Sequence, residues 1–262
     1  MTKPIKISVQ VQPHHQPVEA LRDAWKQAES LGVDALFNWD HLAPRFGDLD
    51  GAVYECWTTL GAMAEATSSV QIGPAVSAIT LRNPQLLADM ARTVDLLSGG
   101  RLILGLGAGG WERDLVDAGY PLGTARSRLE ELKRAIPIIR QRWRDKNPSP
   151  VHGSIPIMIG SNGEKVGLRI TAEHADIWNG QGDPPEVGRL NRILDEWCSR
   201  VGRDPSEIER SVLLIRPYQV DLADEYVVAG ISHFIYSVRA PANEFSPVER
   251  LLAWRDSLAG DA

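Results

Sequence analysis

The glycine-rich stretch from Ser98 to Trp111 holds the residues whose types and spacing most clearly indicate chemistry. It reads S-G-G-R-L-I-L-G-L-G-A-G-G-W, so an apolar run leads directly into a turn made mostly of glycine. Because glycine has no Cβ, the N–H groups of such a turn can approach a flat, anionic ligand. Gly105, Gly107 and Gly110 also satisfy G-x-G-x-x-G, a dinucleotide-binding fingerprint, although a single match is a weak indication.

The neighbouring residues Asp40 and His41 form a second candidate site. An imidazole titrates near neutral pH, so His41 is the best candidate for moving protons, and Asp40 offers a hydrogen-bond acceptor. The alternative is that this pair caps the following loop and contacts no ligand. Glu112 is either the partner acid or base, or a carboxylate in the first turn of a helix, where the helix dipole stabilises it.

A third candidate site is the loop formed by Gly160, Ser161, Asn162 and Gly163. It precedes a predicted helix, whose exposed N–H groups and dipole favour an anion such as phosphate. The Ser161 hydroxyl and the charge of Lys165 would add to that attraction. The alternative is an ordinary capped turn, since Ser and Asn are favoured there in any case.

Apolar segments that recur along the chain predict the elements that must position these residues. Eight segments are predicted to be strands: Ile5–Val11, Ala35–Trp39, Val70–Val76, Arg101–Leu106, Ile155–Ile159, Asp176–Asn179, Val212–Ile215 and Ser232–Val238. Helical periodicity follows them, as over Pro17–Leu31, Glu55–Ala66, Pro84–Leu97, Glu164–His174 and Pro185–Val201.

Eight strand-and-helix units in 262 residues predict an α/β fold of the (β/α)8 TIM-barrel type. A doubly wound domain would place its glycine fingerprint after the first strand, whereas here it follows the fourth. No linker or low-complexity segment interrupts the chain, so residues 1–262 are predicted to form a single domain. In such a barrel, the chemistry lies where the carboxyl ends of the strands meet.

Composition excludes several classes of function. The net charge is −6 and no basic stripe occurs, which argues against nucleic acid as a partner. No signal-peptide core or membrane-spanning run is found, so a cytoplasmic protein with no membrane association is expected. The six histidines are spread widely, and no metal site is predicted. His14 and His15 either line the barrel mouth or lie in a solvated loop.

Several segments, taken together and in order, resemble the luciferase-like monooxygenase superfamily, and most closely its branch that uses the deazaflavin coenzyme F420. They are Asp40-His41, the glycine-rich stretch with Glu112, I-M-I-G-S-N-G-E-K, A-D-I-W-N, V-G-R-D-P-S-E-I and A-G-I-S-H-F-I. The resemblance implies a bacterial-luciferase-like barrel that binds F420 or FMN at its mouth. It also implies hydride-transfer or monooxygenase chemistry.

The resemblance assigns roles to individual positions. It places Asp40 and His41 against the cofactor ring, with His41 near the reacting carbon and Glu112 as the acidic residue of the glycine turn. The remaining cofactor-binding positions that it implies are Ala75, Val76 and Ser77 at the end of strand three; Gly107, Ala108, Gly109 and Gly110 in the glycine turn; and Gly160, Ser161, Asn162 and Gly163 in the phosphate loop.

The resulting expectation is an F420-dependent oxidoreductase that transfers a hydride between the deazaflavin and a small organic substrate. An FMN-dependent monooxygenase is the alternative. A third hypothesis is a non-catalytic barrel that only binds a flavin, because the connection from Arg144 to Ser154 is shorter than is usual in the family. By analogy with the family, a homodimer is expected.

Overall fold

A computed structural model describes residues 4–260, and its strands form a parallel sheet wound into a barrel. The strands are β1 (Lys6–Val11), β2 (Ala35–Asn38), β3 (Gln71–Pro74), β4 (Ser77–Ala78), β5 (Leu104–Gly107), β6 (Ile157–Gly160), β7 (Ile177–Gln181), β8 (Glu209–Leu214) and β9 (His233–Val238). Their order is β3-β2-β1-β9-β8-β7-β6-β5-β4. A parallel bridge between Ile72 and Leu102 brings the two edges together, so the barrel is nearly closed.

Helices alternate with these strands and confirm the predicted (β/α)8 architecture. They are α1 (Val18–Ser30), α2 (Cys56–Ala66), α3 (Pro84–Leu97), α4 (Glu112–Asp117), α5 (Ala125–Asp145), α6 (Gly167–His174), α7 (Pro184–Val201), α8 (Ala223–Val228) and α9 (Ser246–Gly260). Within residues 4–260, no helix is long and apolar enough to cross a membrane.

The third predicted strand is interrupted, which is why nine segments fill eight barrel positions. β3 ends at Pro74 and β4 begins at Ser77, and the peptide bond between Ala75 and Val76 is cis. Other elements differ at their ends. Strand β8 begins at Glu209, three residues before the predicted start. Its first three residues are polar, so the apolar pattern of the sequence did not include them. Helix α6 begins at Gly167 because the preceding three residues form a turn.

The close approach of two strands explains one glycine of the G-x-G pattern. Where β3 meets β5, a Cβ on Gly105 would lie 1.9 Å from the carbonyl oxygen of Pro74, and a Cβ on Gly73 would lie 2.1 Å from that of Ile103. Neither position has room for a side chain. The lack of a side chain at Gly105 therefore allows β5 to pack against β3. The fingerprint match at this residue reflects that packing of the backbone.

The barrel interior is filled by a small apolar cluster, separate from the larger core between sheet and helices. Its buried members are Ala35, Phe37, Ala75, Ile103, Met158, Ile177 and Ile235. Packed side chains of this kind close the middle of the barrel, as in other TIM barrels. A ligand can therefore bind only at one end of the barrel. The predicted site residues follow the carboxyl ends of the strands.

Candidate active site

A cavity of about 570 Å³ lies at the carboxyl ends of the strands. Its volume falls within the range of about 300–1,000 Å³ that is usual for sites of small molecules and cofactors. Its lining combines aromatic side chains with a few polar groups, among them Gln10, Trp39, His41, Val76, Trp111 and Arg239. The cavity is therefore the candidate active site, and several of the predicted residues lie on it.

His41 and Asp114 form a hydrogen-bonded pair on the cavity wall. The Nδ1 atom of His41 lies 2.5 Å from Oδ2 of Asp114. The other carboxylate oxygen accepts hydrogen bonds from the backbone N–H groups of Leu42 and Ala43, at 2.8 and 3.3 Å. Asp114 is buried, whereas His41 is partly exposed. The carboxylate thus fixes the histidine ring and the loop after β2, and it leaves Nε2 as the ring nitrogen that can face a ligand.

Two tryptophans flank this histidine edge-on. The His41 ring centroid lies 5.1 Å from that of Trp39 and 5.5 Å from that of Trp111, with interplanar angles of 87° and 85°. Both tryptophans line the cavity. Aromatic walls of this kind offer flat apolar surface to a ring-shaped ligand.

Asp40 lines the cavity, but its carboxylate is hydrogen-bonded to other groups of the protein. Its carboxylate is buried and accepts two hydrogen bonds from Arg82, at 2.5 and 3.0 Å, together with those of Ser77 Oγ at 2.6 Å and Ala78 N at 3.2 Å. Burial alone would lower the pKa of Arg82, but the charge of Asp40 outweighs that effect and raises it. Asp40 therefore fastens the end of β2 to β4.

Arg82 is a residue that the sequence analysis missed. Its guanidinium also binds Glu55 Oε1 at 2.6 Å, so it bridges two carboxylates behind the cavity. The Glu55 carboxylate caps α2 by accepting from the N–H groups of Trp57 and Thr58. A buried aspartate requires a positive partner, which is the signal that was available, but nothing local in the sequence identifies Arg82 as that partner.

The residues at the break in strand three have different positions. Ala75 and Val76 line the cavity. Ser77 is fully buried and does not line it; its hydroxyl donates to Asp40 and accepts from Trp57 Nε1 at 3.1 Å. Behind Val76, a Cβ on Gly107 would lie 2.6 Å from the valine side chain. Gly107 therefore makes room for Val76, which forms part of the wall.

The glycine turn is only partly on the cavity. Gly109 and Gly110 line it, whereas Gly107 and Ala108 do not. Glu112 also lies outside it, exposed in the first turn of α4. This is the second of the two alternatives considered for Glu112, and the acid that partners His41 is Asp114, two residues further on. Of these two acids, Asp114 is the one hydrogen-bonded to the loop after β2, and a catalytic role for Glu112 stays a prediction.

The predicted phosphate loop lies beside the cavity, and none of its four residues lines it. Asn162 exchanges two hydrogen bonds with the backbone of Gln181, which does line the cavity, at 2.6 and 3.0 Å. Ser161 Oγ accepts from Gly163 N at 3.1 Å. The loop is thus a well-connected turn at the amino end of α6, and phosphate binding there stays a prediction.

A polar network forms the side of the cavity next to β1 and β9. Ser237 Oγ donates to Gln10 Oε1 at 2.9 Å and accepts from Gln12 Nε2 at 3.0 Å. Gln12 in turn contacts His14 Nε2 at 2.9 Å. Burial, together with the charges of His15 and His41, lowers the pKa of His14 to about 4, so this buried imidazole is neutral at neutral pH. Neither His14 nor His15 lines the cavity.

Two polar atoms at the cavity lack hydrogen-bond partners in the described part of the chain. They are the hydroxyl of Thr80 and the indole Nε1 of Trp39, and both are buried. An unpaired buried polar group costs about 1–3 kcal/mol, so such groups usually have a partner. Both can donate to a ligand with carbonyl or ring-nitrogen acceptors. The residues therefore fit a flavin-like ring system in this cavity.

Barrel topology, a cavity at the carboxyl mouth and a histidine–carboxylate pair beside it are typical of a TIM-barrel enzyme. The sequence model for the luciferase-like monooxygenase family matches residues 3–253, so the chain belongs to that family. The family resemblance inferred from the sequence is confirmed.

Individual relatives and solved structures agree with this assignment. The F420-dependent glucose-6-phosphate dehydrogenase of Microbacterium testaceum is 27% identical over 228 residues, covering 80% of this chain and 67% of that protein. An F420-dependent secondary alcohol dehydrogenase, solved with an F420-acetone adduct, has a TM-score of 0.83 and 16% identity, covering 96% of this chain and 98% of the other. A riboflavin lyase with modified FMN has a TM-score of 0.83 and 11% identity, covering 98% and 92%. At these identities, the structures establish the fold alone.

Proposed function

We propose that this protein is an F420-dependent oxidoreductase that transfers a hydride between the deazaflavin and a small organic substrate, with His41 moving the proton. The observation that carries the proposal is the pairing of His41 with Asp114 on the wall of an aromatic cavity at the carboxyl ends of the strands. Relatives named as F420-dependent dehydrogenases support the choice of cofactor.

Several residues of the cavity would hold the cofactor. The Thr80 hydroxyl and the Trp39 indole N–H are donors without partners, and Gly109 and Gly110 leave the backbone open on the same wall. The loop at 160–163 would receive the phosphate. When bound, a deazaflavin supplies a ring carbon that accepts or donates a hydride.

The His41–Asp114 pair manages the accompanying proton. Because the carboxylate of Asp114 accepts the Nδ1–H, the tautomer is fixed and the proton is exchanged at Nε2. When Nε2 takes a proton, the buried negative charge of Asp114 stabilises the resulting imidazolium at 2.5 Å. The two backbone N–H groups on the other carboxylate oxygen keep Asp114 in place while the charge on His41 changes.

An FMN-dependent monooxygenase is the alternative, because flavin-dependent proteins share this fold. The two functions are separated by titrating the purified protein with F420 and, separately, with FMN, and following cofactor fluorescence. We expect a saturating change with F420 and none with FMN. Saturation with FMN alone would favour the monooxygenase, and no binding of either would refute the proposal.

A pair of threonine variants tests whether the cofactor occupies this cavity. Thr80→Val removes the unpaired hydroxyl at nearly constant shape and should weaken F420 binding about three- to tenfold, the worth of one hydrogen bond, without loss of stability. Thr93→Val is the matched control, since the Thr93 hydroxyl lies on α3 and bonds Asp89 O at 2.7 Å. Equal F420 affinities in both variants would place the cofactor elsewhere.

A further inference from the structure

Two arginines at the rim of the cavity each make a cation–π contact with an aromatic ring. Arg45 follows β2 and its guanidinium carbon lies 4.7 Å from the ring centroid of Trp111. Arg239 follows β9 and lies 5.5 Å from that of Phe46. Both arginines are exposed, and both line the cavity. Stacking on a ring holds a guanidinium in place while its N–H groups stay available.

The positive charge of these two arginines is not neutralised by the cavity's own carboxylates. Asp40 is paired with Arg82, and Asp114 with His41. Within residues 4–260, neither Arg45 nor Arg239 has a carboxylate within ion-pair distance. Arg239 Nη2 donates a hydrogen bond to the backbone carbonyl of Ile215 at 3.2 Å.

Other arginines with solvent-accessible side chains behave differently. Arg113, which is close in sequence to the cavity residues, pairs with Asp50 and Asp117. On α9, Arg250 pairs with Asp221. Arg45 and Arg239 therefore give the cavity rim a positive charge that no neighbouring carboxylate neutralises within residues 4–260.

A second hollow of about 600 Å³ adjoins the cavity. It shares Phe46 and Arg239 with the cavity and adds Arg216 and Glu244. Arg216 is exposed and makes no ion pair in the described part of the chain, while Glu244 accepts a hydrogen bond from Ser246 Oγ at 2.6 Å. Arginine side chains thus outnumber carboxylates in the hollow as well.

We propose that the substrate carries an anionic group, a carboxylate or a phosphate, which Arg45 and Arg239 bind at the rim while its apolar body lies against the aromatic walls. This inference rests on the proposed function, because it names the substrate class of that site. Guanidinium groups suit both anions, since they donate two parallel hydrogen bonds.

The position of the two arginines in the barrel assigns the anion to the substrate rather than to the cofactor. They follow β2 and β9, which lie on either side of β1 in the sheet, whereas the predicted phosphate loop follows β6. Strands β8 and β7 separate β9 from β6 in the sheet order. A substrate anion at the rim and a cofactor phosphate at the loop therefore do not compete for the same groups.

The test uses three aromatic probes that differ in charge: benzoate, phenyl phosphate and uncharged benzamide. Binding to the full chain is followed by tryptophan fluorescence at low ionic strength, because Arg45 contacts Trp111 directly. We expect one of the two anions to bind at least about tenfold more tightly than benzamide. Which anion binds more tightly distinguishes a carboxylate site from a phosphate site.

Three glutamine variants provide the matched comparison. R45Q and R239Q should each weaken anion binding about three- to tenfold and leave benzamide unchanged. R200Q is the control, because Arg200 is also exposed and lies 4.8 Å from a tryptophan ring, that of Trp197, but on α7 and paired with Glu196. It should bind the anions as the native chain does.

Three results would overturn the inference. The first is that neither anion binds better than benzamide, and the second is that R45Q and R239Q bind the anions as R200Q does. The third is that R45Q and R239Q lose affinity for F420 in the separate cofactor titration, which would assign these arginines to the cofactor. Failure of F420 to bind the native chain would instead refute the proposed function, and the probe titration would still report on the anion site.

Discussion

The barrel carries a histidine–carboxylate pair at each end, and the two pairs differ in what can reach them. At the amino end, His233 Nδ1 lies 2.6 Å from Glu209 Oε1, and Ser8 Oγ lies 2.7 Å from His233 Nε2. This serine, histidine and carboxylate have the spacing of a hydrolytic triad. At the carboxyl end, His41 and Asp114 are 2.5 Å apart. Interatomic distances alone do not distinguish the two.

The two histidine–carboxylate pairs differ in whether a ligand can reach the histidine. Ser8 and His233 are 0% and 1% exposed, and Lys6 Nζ binds the other oxygen of Glu209 at 2.6 Å. Every polar atom of that cluster is directed at another member of it, so it joins the starts of β1, β8 and β9. His41 instead lines a cavity, and its Nε2 has no hydrogen-bond partner among residues 4–260. Changes at the amino end should therefore affect stability, and changes at the carboxyl end should affect chemistry.

The largest expected effect is that of His41→Ala. Loss of a general acid or base lowers the rate by roughly 10²- to 10⁴-fold, and we expect kcat of F420-dependent turnover to fall within that range. The measurement is the rate of change of F420 absorbance with a substrate found by screening. His233→Ala should keep kcat within about threefold of native where it is folded, while lowering the melting temperature. The reverse pattern would place the reacting histidine at the amino end.

The next effect is a loss of stability in Glu209→Gln that depends on pH. Burial alone would raise the pKa of Glu209, but hydrogen bonds and charge from His233 and Lys6 outweigh it and lower the pKa to about 2. A lowered carboxyl pKa contributes stability above the unfolded-state value, which disappears as the pH falls from about 4.5 towards about 2. At pH 6 the variant should be less stable by about 3 kcal/mol.

Urea unfolding of the native chain and the variant at pH 6 and pH 3 checks this prediction. The difference in free energy of unfolding should shrink at the lower pH, because protonation of Glu209 removes the native advantage. A difference that stays constant with pH would mean that the carboxylate charge does not hold the amino end together.

A smaller effect is expected for the residue that positions His41. Asp114→Asn exchanges a charge-assisted hydrogen bond, worth about 1.5–3 kcal/mol, for a neutral one, so kcat should fall by up to about 10- to 100-fold. Glu112→Gln is the matched control on the same helix, two residues away and exposed, and should change kcat by less than about twofold. If Glu112→Gln has the larger effect, the acidic residue first predicted from the sequence is the functional one.

Two acids of α4, Glu112 and Asp114, show what could not be predicted from the sequence. The alternation of apolar segments was enough to predict the barrel, and position at strand ends was enough to select Asp40 and His41. Helix α4 has six residues, too few to show an apolar period. Which of its acids faces His41, 73 positions earlier, depends on how two separate loops meet at the barrel mouth.

Glycines and buried charges illustrate the same limit. Gly105 belongs to a familiar ligand-binding pattern, yet its role here is to let β5 pass the Pro74 carbonyl. Asp40 was predicted to bind the cofactor and does line the cavity, whereas its carboxylate oxygens accept hydrogen bonds from Arg82, 42 positions away. Residue type and spacing predict where polar groups gather, and long-range pairing decides which of them remain available to a ligand.

The smallest effect is expected in the predicted phosphate loop. Asn162→Ala removes two hydrogen bonds to the backbone of Gln181. Because Asn162 is exposed, its free energy of unfolding should change by only about 1 kcal/mol. F420 should bind about three- to tenfold more weakly, since the loop that would receive its phosphate is loosened. Affinity is measured by fluorescence titration, and stability by urea unfolding.

A shortened ligand separates direct from indirect effects of that substitution. If the loop binds phosphate, a deazaflavin lacking the phosphate should bind native chain and Asn162→Ala equally, because the loosened contact is absent from both complexes. If the shortened ligand also binds the variant more weakly, the loop acts through Gln181 on the cavity wall. The carboxyl end would then use this loop as the amino end uses Lys6, to hold neighbouring groups in place rather than to contact a ligand.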